Sequence, residues 1–264
     1  MVPVLCFDIE TIPDAEGLRA LWQPGADQAQ APDDATLVAQ AQAARREKNG
    51  TDFLPLHQHR IVAIGCLLRD DSGLTIRCVG KPDDTEAKQL ALFFRLIDRY
   101  TPQLVSWNGG GFDLPVMHYR CLVNGLTAER YWEMGEDDRE FKWNNYISRY
   151  HGRHLDLMDL LAMYSPRANA PLDQLARICG FPGKLGMDGS QVWTTWQQGG
   201  IEQIRDYCET DVANTYLMFC RFQLLRGHFT REQYDAEIAL VRKTLADTPG
   251  RHWQEFLAAW PEPR

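Results

Sequence analysis

A chain of 264 residues, 44% of them hydrophobic, has enough apolar material for one large domain or for one domain carrying a sizeable insertion. Its formal net charge of −8 argues against a protein that coats nucleic acid by long-range attraction, and leaves room for one that grips a short end. No apolar run approaches the ~18 residues of a membrane span, and the first residues lack the basic region and cleavage pattern of a signal peptide, so a cytoplasmic protein with no membrane partner is expected.

The N-terminal run from Val2 to Thr11 reads as a buried strand that ends in Asp8-Ile9-Glu10. Strand side chains alternate, so both carboxylates fall on one face. Burying two acids together is costly unless a metal ion or a shared proton compensates, although a solvated strand terminus is the blander reading. Residues 14–52 are rich in Ala, Gln, Asp and Pro, with short helices expected at Leu18 to Trp22 and Ala35 to Lys48. They form an insertion over the sheet, either a mobile flap or a long connection.

Arg60 to Leu68 is the clearest strand, and Asp70-Asp71-Ser72-Gly73 turns the chain into a further strand, Leu74 to Val79. With the first strand these form an antiparallel meander. Thr85 caps a helix to Tyr100 that buries Leu90, Phe93, Phe94 and Ile97. After Pro102, Gln103 to Trp107 make a short buried strand that empties into Asn108-Gly109-Gly110-Gly111-Phe112-Asp113. No Gly-Lys-Ser/Thr follows, so this is not a nucleotide P-loop. The glycines permit a sharp turn and close approach of a ligand, and Asp113 opens a helix to Val123.

Phe141 to His154 contains no acid and interleaves aromatics with cations, which suits stacking on bases or an ordinary solvated loop. His154 to Leu160 begins a strand-to-helix element whose acids are a cap and a surface residue. A helix follows over Pro171 to Cys179, then a glycine-rich loop, Gly180 to Ser190, that carries Lys184. The helix from Ile201 to about Leu225 buries Ile201, Ile204, Cys208, Val212, Thr215 and Phe219, and projects Tyr207 and Asp211, four apart, together. Residues 230–264 read as one or two peripheral helices. The seven scattered cysteines form no Cys-x-x-Cys pair and read as core packing, and the pairs His57/His59 and His151/His154 lack the further ligands that zinc requires.

Together, Phe7-Asp8-Ile9-Glu10-Thr11, Asn108-x-x-x-Phe112-Asp113 and Tyr207-x-x-x-Asp211 resemble the three motifs of the DEDDy 3′–5′ exonucleases. The second motif is most similar to that of the exonuclease domain of family B DNA polymerases and of their stand-alone bacterial relatives. The resemblance spans Val2 to Leu225, and the chain departs from the pattern at no catalytic position. It implies an α/β, ribonuclease H-like fold over residues 1–264: a five-stranded mixed sheet, order 3-2-1-4-5, flanked by helices. It also implies two divalent cations, Mg²⁺ or Mn²⁺. Asp8, Glu10 and Asp211 would hold one, and Asp8 and Asp113 the second. Such a pair, about 3.5–4 Å apart, activates water and stabilises the leaving oxygen in phosphodiester cleavage, and carboxylate oxygens suit these hard ions. Tyr207 would orient the attacking water. Ile9, Thr11, Asn108 and Phe112 would meet the substrate, and Lys184 is either a phosphate contact or a solvated loop lysine. No basic residue is expected among the four carboxylates.

The expected partner is the 3′ end of a single-stranded nucleic acid, DNA ahead of RNA, released as nucleoside 5′-monophosphates. The alternatives are an exoribonuclease on short RNA, an inactive protein that only binds nucleic-acid ends, and an aspartyl-phosphate phosphatase. The last leaves Tyr207 and Asp211 unexplained.

Overall fold

The computed structural model describes residues 2–23 and 32–261. At its centre β1 (Val4–Pro13) pairs antiparallel with β2 (His59–Asp70), which pairs antiparallel with β3 (Gly73–Cys78). On its other side β1 runs parallel to β4 (Gln103–Ser106), and β4 parallel to β5 (His154–Asp156). The result is the expected mixed sheet of five strands in the order β3-β2-β1-β4-β5.

The helices are α1 (Ala15–Leu21), α2 (Asp34–Asn49), α3 (Glu86–Tyr100), α4 (Asp113–Asn124), α5 (Glu129–Trp132), α6 (Leu157–Leu161), α7 (Leu172–Ile178), α8 (Val192–Gln197), α9 (Ile201–Leu225), α10 (Arg231–Asp247) and α11 (Arg251–Ala259). Among the described residues none is long and apolar enough to cross a membrane.

Alternation along β1 divides the core. Leu5, Phe7 and Ile9 pack with Phe93, Phe94 and Ile97 of α3 and Val116 and Met117 of α4. Val4 and Cys6 face Val212, Ala213 and Tyr216 of α9. Asp8 and Glu10 continue the Val4–Cys6 row, so the strand itself aims both carboxylates at α9. That helix comes close because Gly65 sits across from Asp8 in the register. A Cβ there would lie 2.9 Å from both the Cys208 Sγ and a Val212 methyl. Directly after Glu10 the β1–β2 register slips, a bulge of the kind that re-aims side chains beside functional sites. The pairing of β1 with β4 ends at Cys6, so Asp8 and Glu10 lie beyond it, at the carboxyl end of β1, where ligands of such sheets bind.

Several elements differ from the sequence-based expectation. α9 is covered all round from Ile204 to Cys220 except at Asp206 and Glu209. α10 and α11 lie over its outer side, where Tyr234, Val241, Leu245, Trp253, Phe256 and Trp260 are buried, so these helices are part of the core rather than peripheral; residues 262–264 lie outside the described set. The described part of 14–52 is two helices that share a small core of Leu18, Val38 and Leu54 against Trp193, and the expectation of a flap also touches residues 24–31, which are not described. In the acid-free stretch Phe141 and Tyr146 are interior residues, and the Arg130 and Arg153 guanidinium groups lie 4.2 Å and 3.9 Å from the Phe141 ring centre. Trp143 and Tyr150 remain exposed.

The far end of β1 is fixed by charge. Arg120 of α4 is buried, and its guanidinium bridges Asp14, just past β1, to Glu86 of α3, with Nη2 2.7 Å from Glu86 Oε2. Glu86 Oε1 also accepts the Ile61 N–H at 2.7 Å. Removing the arginine would strand two carboxylates in the interior. Arg120→Met is expected to cost about 3–5 kcal/mol, read as a lower urea midpoint. A loss below about 1 kcal/mol, typical of an exposed pair, would contradict this role.

Candidate active site

Three elements bring the predicted residues together. β1 supplies Asp8 and Glu10, α9 supplies Tyr207 and Asp211, and the turn into α4 supplies Asp113. Asp113 also ties the elements together, because its Oδ1 accepts the Ile9 N–H at 3.0 Å. The Ile9 N–H, expected at the substrate, is thus engaged by Asp113, while the Ile9 side chain is in the core.

Burial raises the carboxyl pKa of Asp8 far above its ordinary value, and the charges of Asp113 and Asp211 add to it. Glu10 is raised in the same way by burial, Asp8 and Asp211. Asp113 is pushed up to about 7, burial outweighing its N–H bonds. Burial also raises Asp211, against the opposing pull of Lys184. Each charge makes the next harder to form, the signature of carboxylates that share a site.

Contrary to the expectation of an all-acidic cluster, a cation stands among them. The Lys184 Nζ lies 2.7 Å from Asp211 Oδ2 and donates to the Tyr207 hydroxyl. Burial alone would lower its pKa, but Asp211, Asp8 and Glu10 outweigh that and raise it. The second carboxylate oxygen of Asp211, Oδ1, is buried without a hydrogen-bond partner. A buried acceptor left open beside an ammonium-filled one is a donor set that a second cation would satisfy. The donors in place are Asp8, Glu10, Asp113 and Asp211, all oxygen.

Cys208, not foreseen as a site residue, joins Asp8 and Glu10 in one potential ligand group. Its thiol points at Asp8, 3.5 Å from the carbonyl and 3.8 Å from Oδ2. Burial pushes that thiol far up, so without metal it is an S–H that donates to Asp8. The other group of metal-capable side chains among the described residues is Asp206, Glu209 and His252. There His252 of α11 bonds through Nε2 to Glu209 of α9 at 3.1 Å, while its Nδ1 lies 3.1 Å from Asp206 Oδ1 without a hydrogen bond. Of the histidines weighed for zinc, His59 bonds to Thr11 and Leu54, His154 to Ser106 and His151 to the Asn145 N–H, and His57 packs edge-on to Tyr119.

The glycines of the second motif permit the sharp turn expected of them, since a Cβ at Gly109 would fall on the Ser106 side chain and one at Gly111 would lie 2.5 Å from Asn108 Oδ1. None of its three glycines takes a left-handed conformation; Asn108 does, at φ 68°. Its strain is held by Asp156, whose carboxylate accepts the Asn108 and Gly110 N–H groups at 2.9 Å and 2.8 Å while capping α6. Asp156 is therefore more than a cap: it fixes the turn that delivers Asp113. Sequence pattern could not show this, because the partners lie 46 and 48 residues apart. Phe112 and Thr11 meet through His59, whose ring packs edge-on to Phe112 at 5.6 Å and bonds the Thr11 hydroxyl at 2.9 Å. Phe53, half exposed, completes this aromatic group 5.8 Å from Phe112.

Residues 51–260 match the family described as "Predicted 3'-5' exonuclease related to the exonuclease domain of PolB". The matched stretch includes Asn108, Asp113, Tyr207 and Asp211 and starts after β1. A DNA polymerase of Archaeoglobus fulgidus is 26% identical over 139 residues, which are 50% of this chain and 17% of that protein. The chain thus spans under a fifth of that relative.

The charge crowding predicts an unusual pH response. Unfolded, these carboxyls ionise near pH 4; folded, Asp113 holds its proton to about 7. Between these values the folded protein binds more protons, so the stability tied to that proton is full below about pH 4 and is lost as pH rises through about 7. In EDTA the melting temperature should fall from about pH 5 to pH 8, and Asp113→Asn should flatten the trend. A wild-type midpoint that climbs over this range would contradict the picture.

Proposed function

The chain belongs to the family of predicted 3′–5′ exonucleases related to the exonuclease domain of PolB, and from that premise we propose that it hydrolyses terminal phosphodiesters of single-stranded or mismatched DNA, releasing nucleoside 5′-monophosphates from the 3′ end. The observation that carries this reading is the convergence of Asp8, Glu10 and Asp211 with Tyr207 and Lys184 in one cluster. In this reading residues 1–264 act as one exonuclease domain, working in the cytoplasm.

Asp8, Glu10, Asp113 and Asp211 would hold two divalent cations, Mg²⁺ or Mn²⁺, which when bound supply an activated water and charge neutralisation at the leaving 3′ oxygen. The open Asp211 Oδ1 and the four carboxylates support that choice of ion. The remaining work falls to the chain's own groups. Burial and three neighbouring carboxylates raise the Tyr207 pKa strongly. Its hydroxyl is therefore protonated in the metal-free site and would orient the attacking water by hydrogen bonding.

Thr11 is set to accept rather than donate. The Leu54 carbonyl can only accept, so His59 carries its hydrogen on Nε2, 3.1 Å away. Burial keeps this ring neutral. Its Nδ1 then takes the Thr11 hydroxyl hydrogen, and the Thr11 oxygen presents lone pairs suited to the substrate's free 3′-OH. Phe112 and Phe53 offer a stacking surface for the terminal base, and Asn108 borders the path of the strand. Upstream nucleotides would find exposed Trp143 and Tyr150 with Lys142 and Arg149. With net charge −8 the grip should be local, distributive and salt-sensitive.

The test is a 5′-labelled single strand, as DNA and as RNA, with Mg²⁺, Mn²⁺ or EDTA. A ladder shortened one nucleotide at a time from the 3′ end is expected, fastest on DNA, absent in EDTA and blocked by a 3′-phosphate. Processive digestion from the 5′ end, or cutting of closed circles, would overturn the reading.

Substitutions separate the roles. Asp8→Ala and Asp211→Ala should abolish cleavage, whereas Tyr207→Phe should slow turnover on the order of 10²-fold while binding Mn²⁺ nearly as tightly as wild type. Full-rate cleavage by Tyr207→Phe at every pH would remove the tyrosine from the mechanism.

A further inference from the structure

The Lys184 side chain reaches Asp211 from a backbone that is held with unusual care. Gly183 donates its N–H to Asn214 Oδ1 at 3.1 Å and accepts the Asn214 side-chain amide at 2.9 Å. Asn214 is wholly buried, three residues beyond Asp211 and seven beyond Tyr207 on α9. Across the loop, Asp173 accepts the Lys184 N–H at 2.7 Å and Arg177 donates to the Lys184 carbonyl at 2.7 Å. Asp173 and Arg177 are themselves paired at 2.7 Å. Gly183 is left-handed, φ +72°, and a Cβ there would fall 2.5 Å from Asp173 and 2.7 Å from Arg177. A solvated loop lysine requires none of this. Four hydrogen bonds fix the backbone of Gly183 and Lys184, and a fifth joins the two side chains that make two of them, so that the Lys184 side chain enters the carboxylate cluster.

We propose that Lys184 is a built-in counter-cation of the site, held on Asp211 by the Asn214 clamp, and that it must give up that carboxylate when a divalent ion binds. The inference rests on the metal-binding reading above and adds a consequence: the protein's metal affinity is set by competition with its own lysine. Without metal, the ammonium offsets part of the repulsion among Asp8, Glu10 and Asp211 and so keeps the folded site intact. With metal, the same ammonium repels the ion and withholds one ligand oxygen. Asn214 is accordingly a positioning residue, acting on the metal site through Lys184.

The experiment is calorimetric titration of Mn²⁺ into the full chain without nucleic acid, with melting temperatures in EDTA and in Mn²⁺. Lys184→Met is expected to bind Mn²⁺ on the order of tenfold more tightly, for loss of a unit charge within a few ångströms. It should also melt lower than wild type in EDTA and gain more on adding Mn²⁺. Lys184→Arg should stay close to wild type. Asn214→Ala retains the lysine but loosens its placement, so it should shift affinity in the same direction as Lys184→Met by a smaller factor, which a merely structural asparagine would not do. Should Lys184→Met bind Mn²⁺ no more tightly than a wild type that does bind it, the counter-cation role is wrong and the metal reading stands. Should Asn214→Ala leave the affinity unchanged or weaken it while Lys184→Met tightens it, the clamp as drawn is wrong. No Mn²⁺ binding by wild type, or equal binding by Asp211→Asn, would overturn the metal reading, and this inference with it.

Discussion

Mutual repulsion of carboxylates in a space largely closed to water is the constraint on which the rest of this structure depends. Asp8, Glu10, Asp113 and Asp211 are each pushed toward the protonated state by burial and by other acids. Such a cluster is costly in an otherwise ordinary core, and a chain can hold it only by over-determining its surroundings. The surroundings here are of that kind. The end of β1 is tied by the Arg120 network, the second-motif turn by Asp156, the Asp8 carboxylate by the Cys208 thiol, and Asp211 by Lys184.

The sheet explains why the acids meet where they do. Four features act in one region: the alternation of β1, the missing side chain at Gly65, the register slip after Glu10, and the early end of the pairing of β1 with β4. The first aims two carboxylates at α9, the second lets α9 approach, the third is a bulge beside the acids, and the last leaves both acids beyond the paired stretch. α9 then carries Tyr207, Asp211 and Asn214 on one stripe, so one rigid helix sets the phenol, the carboxylate and the clamp on the facing loop. Because α10 and α11 cover its other side, α9 has little freedom to shift.

Much of this was legible in the sequence because it rests on local periodicity. The strands of the meander, the α3 cap at Thr85 and the pairing of Tyr207 with Asp211 follow from spacing within a few residues, whereas the strand order is what the family resemblance implies. What was missed rests on contacts between distant segments. The Asp156 bonds to the second-motif turn, the Asn214 bonds to Gly183 and the Cys208 bond to Asp8 join residues from 31 to 200 positions apart. A polar residue within a buried helical stripe was the available hint for Asn214, and it has no direction until the fold supplies a partner. The aromatic stretch from Phe141 shows the converse: its composition suggested a nucleic-acid surface, yet burial turned Phe141 and Tyr146 into core. The Lys184 ammonium lay beyond any pattern argument, since nothing in a glycine-rich loop says which way its lysine points.

The central claim, that the carboxylates converge in order to share cations, can be read from anomalous diffraction of crystals grown without metal and soaked in Mn²⁺. The account predicts anomalous density bounded by Asp8, Glu10 and Asp211, with a second peak toward Asp113, and Lys184 withdrawn from Asp211. No manganese among these residues at saturating concentration, or manganese only at Asp206, Glu209 and His252, would contradict it.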